Sequence, residues 1–209
     1  MSYVWYLSYG SNMLRERFMC YIKGGTFSGN GYEEPGCKDP SDPIRDMNYR
    51  INRAMYFSKQ SPRWSNMGVA FLSEKESPKA QAFGKMYLIS RDQFEDVVRQ
   101  ENRIPMETDL GIDYGTLEAR GAYLVFEDKF YGKLLCLGHE SGWPIYTFTA
   151  PIQEEAYVKP SEAYLKSIMK GVLLNFGPIH QDLIQVFSST QGVEGHYSQE
   201  DIEHLIKQI

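Results

Sequence analysis

The sequence predicts an α+β fold: a mixed, mostly antiparallel, barrel-like sheet with flanking helices. Three observations predict it. Residues 3–9 are aromatic and β-branched, which suits a strand buried on both faces, and Gly10 breaks that run just before a block of helix formers. Several strand-like segments follow one another through the middle of the chain. Amphipathic helical stretches then gather after residue 160.

Taken in order, residues 13–19 read as a first helix, with Leu14 and Phe18 on one face and Ser11 or Asn12 as its N-cap. Residues 24–43 carry glycines at 24, 25, 29, 31 and 36, prolines at 35, 40 and 43, and Asn30, Asp39, Ser41 and Asp42 between them. That is turn chemistry, and a loop of this length is either mobile or a lid; a mobile segment is the expectation. Strands are predicted at 50–58, 64–72 and 80–89, with a charged loop at 73–79. Gly84 inside the third strand marks a bulge or a close approach. Ser90 caps a predicted helix over 91–101, with Phe94, Val97 and Val98 on its apolar face. Residues 102–115 read as loop, and strands are predicted at 116–126, 130–137 and 144–149. Pro160-Ser161 opens a helix over 162–175, Pro178 precedes another reaching 187, and a last one starts at Ser198. The organisation expected is a single domain over 1–209, with a loop-rich insertion at about 24–60 and a helical C-terminal extension.

Composition narrows the function. A net charge of −5 argues against nucleic acid or an anionic membrane as the main partner. Three cysteines (Cys20, Cys37, Cys136) without CxxC spacing fit a reducing, cytoplasmic setting. No apolar run is long enough to span a bilayer, and no signal-peptide pattern opens the chain. The four histidines (His139, His180, His196, His204) have no metal-ligand spacing, so no metal and no cofactor is expected. Phosphate-loop and dinucleotide fingerprints are missing, and Gly10-Ser11-Asn12 lacks the frame of a nucleophile elbow.

Two places could carry chemistry. A strand, a glycine turn and a helix start at residues 6–13 make a cup of backbone donors suited to a carboxylate or a developing oxyanion. Glu101 closes the 91–101 helix, where the helix dipole disfavours an acid. It reads either as a solvated helix-end charge or as a buried proton carrier.

Tyr6-Leu7-Ser8-Tyr9-Gly10-Ser11-Asn12-Met13 resembles the YxxYGSN[LM] signature of the gamma-glutamylcyclotransferase-like family. Later features resemble that family in the same order. They are Trp64 with Gly68-Val69-Ala70, Phe83-Gly84-Lys85-Met86-Tyr87, Gln100-Glu101, and Pro160-Ser161 followed by Tyr164 and Gly171. The departures are the long 24–60 segment, Asn102 where a glycine is common after the glutamate, and the stretch beyond Gly171.

The resemblance implies Glu101 as the catalytic general acid/base, and Tyr9, Gly10, Ser11, Asn12 and Met13 as the cradle for a small-molecule γ-glutamyl substrate. Tyr87 and Tyr164, with Tyr114 and Tyr146 as further candidates, would form the pocket wall. The activity implied is a lyase- or transferase-type cleavage in which the substrate's α-amine attacks its own γ-carbonyl, releasing 5-oxoproline and an amine. A glutamate in water, with a pKa of about 4.3, is a poor base for an amine near 8, and desolvation narrows that gap. The alternatives are a non-catalytic module that binds a small acid on the same fold, and an unrelated hydrolase acting through Ser11.

Overall fold

β1 (Tyr3–Ser8) has two apolar faces and lies in the interior of a six-stranded sheet. The computed structural model describes residues 2–28, 31–78, 80–153 and 156–209; Gly29 and Asn30 of the loop-rich segment lie outside them. After β1 come α1 (Arg15–Lys23), two short strands, β2 (Gly25–Thr26) and β3 (Glu33–Glu34), and then β4 (Arg45–Ile51), β5 (Arg53–Ser61), β6 (Met67–Glu76) and β7 (Ala82–Ser90). The chain continues through α2 (Arg91–Asn102), α3 (Tyr114–Arg120), β8 (Ala122–Leu124), β9 (Lys133–Glu140) and β10 (Trp143–Thr149). It closes with α4 (Glu162–Phe176), α5 (His180–Ser188) and α6 (Gln199–Lys207).

The sheet order is β4-β7-β1-β10-β9-β8, and only β1 and β10 pair in parallel. The fold is therefore α+β with a mixed, mostly antiparallel sheet. β5 and β6 form a separate antiparallel hairpin. Thr149 on β10 stitches that hairpin to the sheet: its hydroxyl donates to Leu72 O (2.6 Å) and accepts from Leu72 N–H (3.1 Å).

Alternation along β1 feeds two cores. Val4 and Tyr6 pack with Phe18 of α1, Phe94 and Val97 of α2 and Leu117 of α3. Trp5 and Leu7 pack with the β5–β6 hairpin and with α4, α5 and α6. A strand buried on both faces needs no polar alternation, which is why residues 3–9 read as a continuous apolar run.

Several boundaries differ from expectation. The strand predicted at 50–58 is two strands broken at Asn52; β4 is a polar edge strand, so it carries little hydrophobic signal. The charged stretch 73–79 is not all loop, because β6 runs on to Glu76. Gly84 marks a close approach and no bulge: an added Cβ would come within 2.6 Å of Leu7 Cδ1. The first part of the strand predicted at 116–126 is α3, and only Ala122–Leu124 is strand. Asp113 caps that helix by accepting from Thr116 N–H (3.0 Å), and Gly121, at φ 74°, ends it.

Gly68 on β6 lets the chain at 158–160 pass directly against the hairpin, with its N–H donating to Lys159 O at 2.9 Å. An added Cβ there would overlap the carbonyl of Val158. Gly68→Ala is expected to cost about 1–3 kcal/mol, read as a lower midpoint in urea denaturation.

Candidate active site

The corner after β1 is built differently from a simple strand-to-helix turn. Ser11–Met13 forms a turn of 3₁₀ helix, and α1 begins only at Arg15. Met13 N–H donates to Gly10 O (3.1 Å) and Leu14 N–H to Ser11 O (3.0 Å). Neither Ser11 nor Asn12 caps α1, which starts after Leu14 without a side-chain cap. The leading amides of this short turn have no acceptor within it. Gly10 is needed for close approach, since a Cβ there would lie 3.2 Å from the Tyr164 hydroxyl. Gly171 of α4 meets the corner from behind, where a Cβ would lie 2.9 Å from Met13 Cβ.

Glu101 arrives from the far end of α2. Ser90 and Gln93 make a reciprocal capping box at the start of that helix. Phe94, Val97 and Val98 press its apolar face onto the sheet, so its last turn lands beside the corner. The Glu101 side chain is only 12% exposed. Asn12 Nδ2 donates to Glu101 Oε1 at 3.0 Å and to the Tyr6 hydroxyl at 3.2 Å, joining positions 89 apart in sequence. Asn12 Oδ1 has no partner among the described residues.

Arg63, which the sequence did not place here, brings its Nη1 to 3.5 Å from Glu101 Oε2. A carboxylate drawn out of water at the negative end of a helix needs a cation or donors nearby.

Behind Arg63 is a buried charge cluster. Glu34, on β3 in the segment expected to be mobile, accepts from Arg17 Nη2 (2.9 Å) through Oε1 and from Arg63 Nη2 (2.9 Å) through Oε2. Both arginines also donate to the Tyr21 hydroxyl, at 2.9 and 3.0 Å. The side chains of Arg17 and Glu34 are 2% and 1% exposed. That segment is tied down: Cys37 N–H donates to Ile22 O, Lys38 N–H to Asp96, and Gln93 Nε2 to Asp39 O and Ser41 O.

Burial opposes the charge on Arg63. The oxygens of Tyr21, Glu101 and Glu34 outweigh it and hold the guanidinium above its ordinary value. For Glu34 the balance reverses: desolvation pushes its carboxyl up, although Arg63 and Arg17 pull it down. A buried ion cluster of this kind is weak evidence for stability, and its position beside a cavity points to use.

The cavity has a volume of about 170 Å³. Tyr9, Gly10, Ser11, Asn12, Glu101 and Tyr164 all line it. Met13 and Tyr87 lie behind the corner: Tyr87 donates to Asn12 O (3.0 Å) and stacks on Phe18 at 4.1 Å between centroids. Tyr114 and Tyr146 serve the opposite core, where their hydroxyls donate to Glu95 and Glu118.

Trp64, named above only as part of the resemblance, and Tyr131, which the sequence did not single out, complete the wall. Trp64 packs on Tyr164 at 4.5 Å, and the Tyr131 hydroxyl donates to Ala70 O at 3.2 Å. Asn102 places Tyr131 by accepting its N–H (2.9 Å) and donating to its carbonyl (3.1 Å). Arg17, Glu34 and Arg63 left no pattern in the sequence, since they come from a helix face, a loop-rich stretch and a 3₁₀ turn. Among the described residues no cluster of His, Cys, Asp or Glu could hold a metal ion, and no helix is long and apolar enough to cross a membrane.

No family model matches the sequence. A solved gamma-glutamyl cyclotransferase superposes with a TM-score of 0.50 over 100% of both chains, at 16% identity. The fold is that of the gamma-glutamyl cyclotransferases. A crystal structure of an uncharacterized protein from Homo sapiens agrees with this, with a TM-score of 0.52 over 99% of each chain at 17% identity. In this cyclotransferase fold the YxxYGSN-like motif is the end of β1 and the corner that contacts Glu101. By sequence the chain is 31% identical over 184 residues to histone deacetylase 5 of Arabidopsis thaliana. That match covers 81% of this chain and spans 28% of the length of the plant protein.

Glu34→Gln is expected to leave Arg17 buried without a counter-charge and Arg63 with only the 3.5 Å contact to Glu101, and to cost about 3–5 kcal/mol, measured by urea unfolding. Burial also holds the phenols of Tyr6, Tyr9, Tyr21, Tyr131 and Tyr164 above their ordinary value, so they keep protons that the unfolded chain releases near about pH 10. The folded state then binds more protons than the unfolded one. Its stability is expected to be flat through neutral pH and to fall as the pH rises above about 10, which denaturant midpoints across an alkaline series would register.

Proposed function

We propose that the cavity binds a γ-glutamyl compound and cyclises it to 5-oxoproline, with Glu101 as the proton carrier. The observation that carries this reading is the 3.0 Å contact between the Glu101 carboxylate and Asn12 of the glycine corner, inside one cavity of a cyclotransferase fold. A substrate ammonium in the cavity would meet the Glu101 carboxylate as its acceptor. The leading amides of the corner would then face the γ-carbonyl oxygen as negative charge develops there.

The reaction balances without a further reagent. The α-nitrogen forms a bond to the γ-carbon, and the amide C–N bond to the leaving amine breaks. The attacking nitrogen sheds two protons, and the amine departs with both; Glu101 carries them in turn. Nucleophile and electrophile belong to one molecule, so a cavity that holds the chain curled has already met much of the entropic cost, up to roughly 7–11 kcal/mol in favourable systems. One acid/base group is then a sufficient catalytic complement.

The binding module without turnover has one feature in its favour, the Arg63 contact that engages a Glu101 oxygen. Calorimetry with 5-oxoproline, run beside an amine-release assay, separates the two readings: binding without release would favour the module. Within the enzyme reading, Glu101→Gln is expected to keep the fold and to hold ligand affinity within a few-fold. It should lose turnover by about 10²–10⁴-fold, read as 5-oxoproline formed from a panel of γ-glutamyl compounds. Turnover retained in that variant would remove Glu101 from the mechanism.

A further inference from the structure

The charge around the cavity contrasts with that of the chain. The protein carries a net charge of −5, yet Arg17, Arg63, Arg103 and Lys129 line this cavity against the carboxylates of Glu101 and Asp128. The cations are graded from floor to mouth. Arg17 is buried, the Arg63 side chain is 12% exposed, Lys129 is half-buried and paired with Asp128 at 3.5 Å, and Arg103 is exposed at the rim. The wall opposite the rim is uncharged and buried, made by Tyr9, Tyr164 and Phe148.

Arg63 is held in an unusual way. Its Nη2 is fixed by Glu34 and its Nη1 by the Tyr21 hydroxyl, with Glu101 3.5 Å away, beyond a close charge-assisted hydrogen bond. Its buried Nε has no acceptor among the described residues, and neither do Nε and Nη1 of Arg17. Unpartnered buried donors on two arginines are costly; Arg17 offsets part of that cost by lying over the Tyr21 and Phe27 rings, whereas Arg63, which lines the cavity, holds Glu101 only at 3.5 Å.

We infer that Arg63 is a specificity-determining residue that pairs with a carboxylate on the leaving-amine side of the substrate. This rests on the reading of the cavity as a cyclotransferase site. The buried, uncharged wall suits the glutamyl part, and the cationic rim suits whatever departs. A γ-glutamyl amino acid or peptide bears net negative charge and matches the rim. A γ-glutamyl monoamine has no net charge, and a γ-glutamyl diamine would bring a cation against Arg63, Arg103 and Lys129. An incoming carboxylate also competes with Glu101 for Arg63, which frees a Glu101 oxygen for the substrate ammonium. Glu34 is the positioning residue: it keeps the guanidinium plane fixed while the exchange occurs.

The test compares three substrates with the wild-type protein, following 5-oxoproline release: γ-glutamylalanine, γ-glutamylethylamine, which is the same skeleton without the carboxylate, and γ-glutamylputrescine. The expected order of kcat/KM is dipeptide, monoamine, diamine, with the dipeptide ahead of the monoamine by about 10- to 100-fold. In Arg63→Met that preference should collapse to within about threefold; in Arg63→Lys, which keeps the charge and loses the fork, part of it should survive. Equal rates for dipeptide and monoamine, or a preference unchanged in Arg63→Met, would overturn the role of Arg63 while leaving the cyclotransferase reading intact. Absence of 5-oxoproline from all three substrates would overturn that reading, and this inference with it.

Discussion

A buried carboxylate must find its cations, and that requirement organises the region around the cavity. Glu34 lies fully out of water, and the two guanidinium groups that meet it come from α1 and from the 3₁₀ turn before β6. Satisfying it brings the β2–β3 segment down onto α1 and fixes Arg63 between Glu34 and Glu101. Each ion in this chain is desolvated, so each depends on the next, and removing a member strands its neighbours. The result is a rigid electrostatic floor beneath a cavity whose upper wall is aromatic.

The aromatic wall follows a second constraint: a buried phenol still needs a hydrogen-bond partner. Tyr9 donates to Phe148 O at 2.7 Å, Tyr131 to Ala70 O, and the Tyr164 hydroxyl accepts from Ala70 N–H at 3.3 Å. Those partners are backbone atoms of β6 and of β10, so the ring positions are set by the sheet and not by a loop. Gly10 makes room for Tyr164, and Ser161 caps α4 so that Tyr164 falls in its first turn. The corner motif and the distant Pro160-Ser161 pair are therefore two halves of one packing contact.

Much of this was legible where local chemistry is unambiguous. Ser90, Ser161 and Ser198 each announce a helix start, and each accepts the predicted backbone N–H. β1 was readable from its apolar run; the end of an amphipathic helix left Glu101 open between a solvated and a buried charge, and the structure buries it. Where two local signals conflicted, the sequence misled. Tyr114-Gly115-Thr116 looks like strand or loop, but the Asp113 cap, the buried Leu117 and the Gly121 stop make a helix there. Ser11 and Asn12 look like caps, yet a 3₁₀ turn consumes that position and turns Asn12 toward Glu101. Arg17, Glu34 and Arg63 were illegible for a different reason: their meaning lies only in mutual contact across long gaps, and no periodicity or short motif encodes such a meeting.

The same cluster sets the surroundings of the acid at the corner. Glu101 is neither unpartnered nor bridged by arginine on both oxygens. Asn12 holds one oxygen by a neutral donor, and Arg63, already committed to Glu34 and Tyr21, approaches the other only to 3.5 Å. Glu34 therefore draws part of Arg63's attention away from Glu101. The acid nearest the glycine corner keeps its place through the second acid behind it, which is why a loop-rich segment that looks like decoration in the sequence is part of the site.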